Sequence, residues 1–144
     1  MPLQLMFVGS VSLVGTTLLH PLGTIRVEGN KIYRYTKAGG TIAAGAAVSM
    51  SASGTVLLFA ASMKACGLNA TGVELTVGQY FWRQVAGEVG GLVTTGLTVG
   101  QAVGITNADG VTIAAPTTGI TALANSALVV ISDTAGVILL SGLY

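Results

Sequence analysis

The chain has 144 residues, enough for one domain that buries most of its unfolded surface. Only 8% of the residues are charged, against about 25% in an ordinary soluble domain, while 51% are apolar and the net charge is +1. That balance gives no electrostatic footing for nucleic acid or anionic lipid. Glycine and hydroxyl residues also break every apolar run before the ~18 residues that a membrane-spanning helix needs.

Residues 1–23 read as an N-terminal arm. Leu3, Leu5 and Phe7 alternate with Gln4, Met6 and Val8, a period that suits one strand. Burying three such side chains contributes roughly 5–9 kcal/mol. Ordering the seven or so residues involved costs about 1–2 kcal/mol apiece, so the two nearly cancel. An arm ordered against a partner and an ordinary first strand of the domain both fit these numbers. The first 25 residues lack the basic start of a secretory signal, and Gly9, Ser10, Ser12 and Gly15 interrupt them, so they read as part of the working protein.

Residues 24–144 read as a single all-β domain of short strands. Thr24–Glu28 and Lys31–Lys37 flank Gly29-Asn30, which supplies the positive φ of a tight primed turn. Met50 and Thr55–Phe59 flank Ser51-Ala52-Ser53-Gly54; Ala102–Thr106 and Val111–Ala114 flank Asn107-Ala108-Asp109-Gly110; Ala127–Ser132 and Val137–Leu140 flank Asp133-Thr134-Ala135-Gly136. Each loop carries a glycine where a hairpin needs one. The tetrapeptide Thr76-Val77-Gly78-Gln79 returns as Thr98-Val99-Gly100-Gln101, with a degenerate copy at Ile42-Ala43-Ala44-Gly45. We read it as a reused turn that leads into an apolar strand. In Gln79–Val85, period two sets Tyr80, Trp82 and Gln84 on one face and Phe81, Arg83 and Val85 on the other. Two well-filled faces suit a strand covered on both sides, by core alone or by core and an interface. The whole is expected to be a small β-barrel or β-sandwich with an extended N-terminal arm.

Chemistry is sparse. The only histidine, His20, precedes Pro21 and has no evident partner that would orient it as a base. It reads as a solvated or capping residue before a turn. No His/Cys cluster has zinc spacing, no phosphate-binding glycine loop occurs, and no carboxylate pair has the spacing of a glycosidase or calcium loop. Cys66 is the only cysteine and reads as a small buried hydrophobe. Ser62 and Lys64 offer a meagre case for a serine–lysine pair. No enzyme, metal or cofactor is expected. Tyr33 and Tyr35, flanked by Lys31 and Lys37, have the form of a miniature stacking platform for single strands. The net charge and the want of any other basic groove weigh against it.

Pro21-Leu22-Gly23-Thr24, Gly29-Asn30-Lys31-Ile32-Tyr33-Arg34-Tyr35, Ala38-Gly39-Gly40-Thr41 and Ala43-Ala44-Gly45 follow one another in an order that resembles the opening of small head proteins of tailed bacteriophages. Gly78-Gln79-Tyr80-Phe81-Trp82-Arg83-Gln84-Val85-Ala86-Gly87 is similar to a later element of the same proteins. The resemblance covers about residues 21–115, rests on structural motifs and leaves out the first 20 residues. It implies a non-enzymatic capsid decoration (cement) protein: β-rich, homo-oligomeric with a trimer favoured, made in the host cytoplasm and seated on the outer capsid surface of the virion. Its partner would be the major capsid protein, whose subunits it would bridge. Contacts are expected from Leu3, Leu5 and Phe7 in the arm and from Tyr33, Arg34, Tyr35, Trp82 and Arg83 on the body. Another virion component (tail, fibre or head–tail joining protein) is the next reading. A small ligand- or oligonucleotide-binding barrel is the third.

Overall fold

A computed structural model of the protein describes residues 7–59, 65–89, 102–105, 113–114, 128–132 and 137–141. Those residues form an all-β structure with no helix. Its strands are β1 (Ile25–Glu28), β2 (Lys31–Lys37), β3 (Ala47–Met50), β4 (Val56–Leu58), β5 (Ala65–Leu68), β6 (Tyr80–Val89), β7 (Ala102–Ile105), β8 (Ile113–Ala114), β9 (Leu128–Ser132) and β10 (Val137–Ser141). All strand-to-strand pairings among them are antiparallel.

Local turn chemistry sets the hairpins. β1 and β2 close at Glu28↔Lys31 around Gly29-Asn30, and Gly29 takes φ +59°, a conformation that costs a side chain but not glycine. β3 pairs with β4 across Ser51–Gly54, with the Ser51 amide donating to the Thr55 carbonyl. The expected pairs β7–β8 and β9–β10 also form. Their connecting loops, at 107–110 and 133–136, lie outside the described residues, as do Ser62, Lys64 and the second tetrapeptide at 98–101. The first tetrapeptide turns into β6 as expected: the Gln79 amide donates to the Thr76 carbonyl and its side-chain carbonyl accepts from the Thr76 amide.

β6 organises the rest. It pairs with β2 from Lys37↔Tyr80 to Ile32↔Ala86, with β5 at Leu68↔Gln84, and with β10 from Ser141↔Ala86 to Ile138↔Val89. β5 continues to β3 and β3 to β4, and a parallel bridge, Ala38↔Val56, brings β4 back to the end of β2. The pairing β2–β6–β5–β3–β4 is therefore a closed circuit, the topology of a small barrel. Ala38, Ile42, Ala46, Val48, Val56, Cys66, Leu75 and Phe81 fill it.

One side chain holds the circuit where no strand ladder reaches. Asn69 uses both ends of its amide. Its nitrogen donates to the carbonyls of Ala43 (3.0 Å) and Val73 (2.9 Å), and its oxygen accepts from the Thr71 hydroxyl (2.6 Å). This pins the loop before β3 to the loop after β5. Ser49, fully buried on β3, leaves its hydroxyl without a hydrogen-bond partner. An unsatisfied buried hydroxyl costs about 1–3 kcal/mol. Ser49→Ala is therefore expected to raise the melting temperature, and a lowered one in a thermal melt would contradict this packing.

Candidate functional site

β6 is covered on both faces, as its alternation suggests. Phe81 enters the barrel interior, while Trp82, on the opposite face, packs with Tyr33 and Tyr35 in a second cluster. What covers that second face is the chain's own N-terminal region. Residues 7–24 form no strand but run as a strap over it. Phe7 meets Trp82 edge-on (centroids 5.4 Å apart), and His20 lies against both Trp82 and Tyr35 (5.2 Å each). Gly15 bridges to Tyr80 by reciprocal backbone hydrogen bonds. The Leu19 amide donates to the Tyr35 hydroxyl, and the Gly23 amide to the Tyr35 carbonyl.

Arg26 is the pin of this arrangement. It is the inward residue of β1, 7% exposed. Its guanidinium stands over the rings of Phe7 (4.9 Å) and Trp82 (5.4 Å) and donates to the Gly9 carbonyl (3.0 Å). Nη2 and Nε donate to the carboxylate of Glu28, 2.6 Å and 3.1 Å away. Sequence reading gave Arg26 no role, because a lone arginine in a short strand carries no signal of what lies across from it. His20 also differs from the expectation: it is half-buried among aromatic rings, and its Nε2 accepts from the Val8 amide (3.3 Å).

The residues expected at contacts separate into three groups. Leu3 and Leu5 lie outside the described residues. Tyr33, Tyr35, Trp82 and Arg83 are buried by their own chain, and Phe7 joins three of them under the strap. The tyrosine faces are thus closed to bases, which removes the stacking platform. Arg34 is half-buried on the other side of β2, opposite Arg83. Arg83 donates from Nε to the Cys66 carbonyl (2.9 Å) and from Nη1 to the Thr36 hydroxyl (2.6 Å). Burial pulls its pKa below the ordinary arginine value; nearby Arg34 adds to this and Cys66 opposes it.

Among the described residues no activated side chain emerges. Burial pushes the Cys66 thiol up, with Arg83 and a backbone hydrogen bond at Met50 opposing it, so the group is the reverse of an activated nucleophile. Burial likewise raises Tyr33, with Glu28 adding and Arg26 opposing. Both groups favour the fold while protonated. That stability is fully present below the ordinary thiol pKa, begins to fall at about pH 8.5, where the unfolded chain releases the Cys66 proton, and is lost as pH rises through the raised folded-state pKa. The melting temperature is expected to fall above pH 8.5, and Cys66→Ala to flatten the first part of that fall. Parallel melting curves for both proteins would contradict it. Among the described residues no three His, Cys, Asp or Glu side chains gather as metal ligands would.

The surface carries the functional signal instead. Packing Phe7 and His20 inward turns other apolar side chains of the strap outward. Leu18 (53% exposed), Leu22 (52%), Ile25 (48%) and Val27 (62%) follow one another from the strap into β1, with Leu19 between them. Single exposed leucines are ordinary, but a run of large apolar side chains along one segment is the mark of an interaction surface. No family model matches the chain, nor does any curated protein or solved structure.

Proposed function

We propose that the protein is a non-enzymatic structural component of a tailed-phage virion, which decorates the outer surface of the head and stabilises it by bridging major capsid protein subunits. The observation that carries this reading is the apolar run Leu18–Val27, exposed on a domain whose sequence is only 8% charged. Such a face is costly in a free monomer and useful in a protein that spends its working life against another. The resemblance of residues 21–115 to phage head proteins supplies the partner.

Cement action follows from area. Apolar surface removed from water contributes roughly 25 cal/mol per Å², and the same contact repeated over a lattice adds avidity to each modest site. The strap is the part of this surface best placed to adapt, because backbone hydrogen bonds and aromatic edges fasten it rather than a strand ladder. The test is binding of Leu18→Ser/Leu22→Ser to expanded heads of the phage that encodes the chain. Both positions are exposed, so the fold should stand, while binding is expected to fall at least about tenfold through the lost apolar burial of two leucines. Unchanged binding would remove the apolar run from the head contact.

A further inference from the structure

Among the described residues the outer edge of β1 is open, and this carries a second inference, which shares Ile25 and Val27 with the apolar run. Among the described residues β1 pairs with β2 alone, so its outer edge has no partner there. The phase of the ladder says which groups that edge presents. The Tyr35 amide donates to the Thr24 carbonyl, and in the same register Arg26 faces Tyr33 and Glu28 faces Lys31. Antiparallel ladders alternate bonded and non-bonded pairs, so Arg26 and Glu28 spend their backbone groups on β2, as Thr24 does its carbonyl, while the Thr24 amide turns to the Pro21 carbonyl. The amide and carbonyl of Ile25 and of Val27 therefore point outward. Their side chains are exposed as well.

Natural sheets guard such edges with lysine, proline, bulges or inward charge. β1 has one inward charge, Arg26, but it is already paired with Glu28 at 2.6 Å, and the outward positions Ile25 and Val27 carry neither lysine nor proline. We infer that β1 pairs antiparallel with β1 of a second copy about a two-fold axis through Arg26, joining the two sheets edge to edge.

Geometry chooses this occupant and this register. With the axis at Arg26, Ile25 faces Val27 of the second copy and Val27 faces its Ile25, so every outward amide and carbonyl of both strands is bonded. Four β-branched side chains then meet on one face. With the axis at Val27, only the Val27 pair is bonded, and Ile25 faces Gly29, which is already committed to the turn at φ +59°. The two Arg26 residues come opposite one another in the favoured register. Each brings its own Glu28 and is tied to the Gly9 carbonyl of its own strap, so the junction carries no unpaired charge. Four-residue strands give a contact well below the ~1,200 Å² of stable interfaces. It forms at high protein concentration, whatever larger symmetry the copies adopt.

Cysteine cross-linking reads the register. Ile25→Cys and Val27→Cys are made separately in the full chain, differently tagged, mixed at high concentration and oxidised with a copper–phenanthroline catalyst. Facing bonded pairs are about 5.5 Å apart at Cα, within disulfide reach. Like residues are diagonal in this register, about 7–8 Å apart. The expected result is a cross-linked heterodimer of the two variants, several-fold more abundant than either homodimer. Equal yields of all three species, or no cross-link at all, would overturn the pairing.

Discussion

Trp82→Ala is expected to remove about 3–5 kcal/mol of stability, a large share of the 5–15 kcal/mol that a domain of this size commands. Trp82 is 1% exposed and is the only tryptophan in the chain. Phe7, His20, Tyr35 and Arg26 all pack against its ring. Phe81→Ala, one residue away, should cost a similar amount, because Phe81 is fully buried in the barrel. The two losses differ in kind. Losing Trp82 takes away the surface on which the strap rests, so limited proteolysis should cut within residues 7–24 under conditions where the body is still folded. Losing Phe81 should leave the strap protected until the whole domain unfolds. Equal protection of the strap in both variants would contradict its docking on Trp82.

Gly87→Ala is the second large effect. β6 carries an extra residue at Val85, between Tyr33↔Gln84 and Ile32↔Ala86, and from Ala86 onward it pairs with β10. Gly87 follows at φ +97°, where a Cβ would collide with the Asn30 carbonyl and stand 2.8 Å from Lys31 Cα. Both obstacles are backbone and belong to the β1–β2 turn, so neither can swing aside as a side-chain tip would. Positive φ costs a residue with a Cβ about 1–2 kcal/mol and overpacking about 1–3 kcal/mol more. A loss of about 2–5 kcal/mol in denaturant unfolding is expected, with the β1–β2 hairpin disturbed. Gly72→Ala is the control. Gly72 has a comparable φ of +83°, but nothing lies within 4 Å of its would-be Cβ. The difference between the two variants measures the close approach alone, and near-equal losses would show that the hairpin does not crowd Gly87.

The parts of this fold that could be read from the sequence are those whose cause is local. Gly29-Asn30 and Ser51–Gly54 specify hairpins through the backbone angles they permit. The alternation through Gln79–Val85 announces a strand buried on both faces because each face is filled by large side chains. The strap is different. Nothing within residues 7–24 says that Phe7 and His20 will meet Trp82, sixty and more positions onward; their cost of ordering nearly equals their own burial, and the body decides the outcome. Arg26 escaped notice for the same reason, since its partners come from the strap, from β6 and from Glu28. The circuit-closing bridge Ala38↔Val56 is equally non-local. Of the expected contact residues, those chosen for aromatic character, Tyr33, Tyr35 and Trp82, support the strap from beneath. The exposed apolar run was harder to see. Leu18, Leu22, Ile25 and Val27 look like any other apolar residues until the direction of each side chain is known.

The most direct measurement of the proposed decoration role is the number of copies bound per head when the protein is titrated against expanded heads of a tailed phage, followed by sedimentation. Saturation at a fixed number of copies per capsid subunit, with heads more resistant to heat once loaded, is the expected result. Protein that stays in the supernatant at every concentration would contradict the decoration reading, and self-assembly into rings or fibres that ignore heads would favour a tail or head–tail joining component instead.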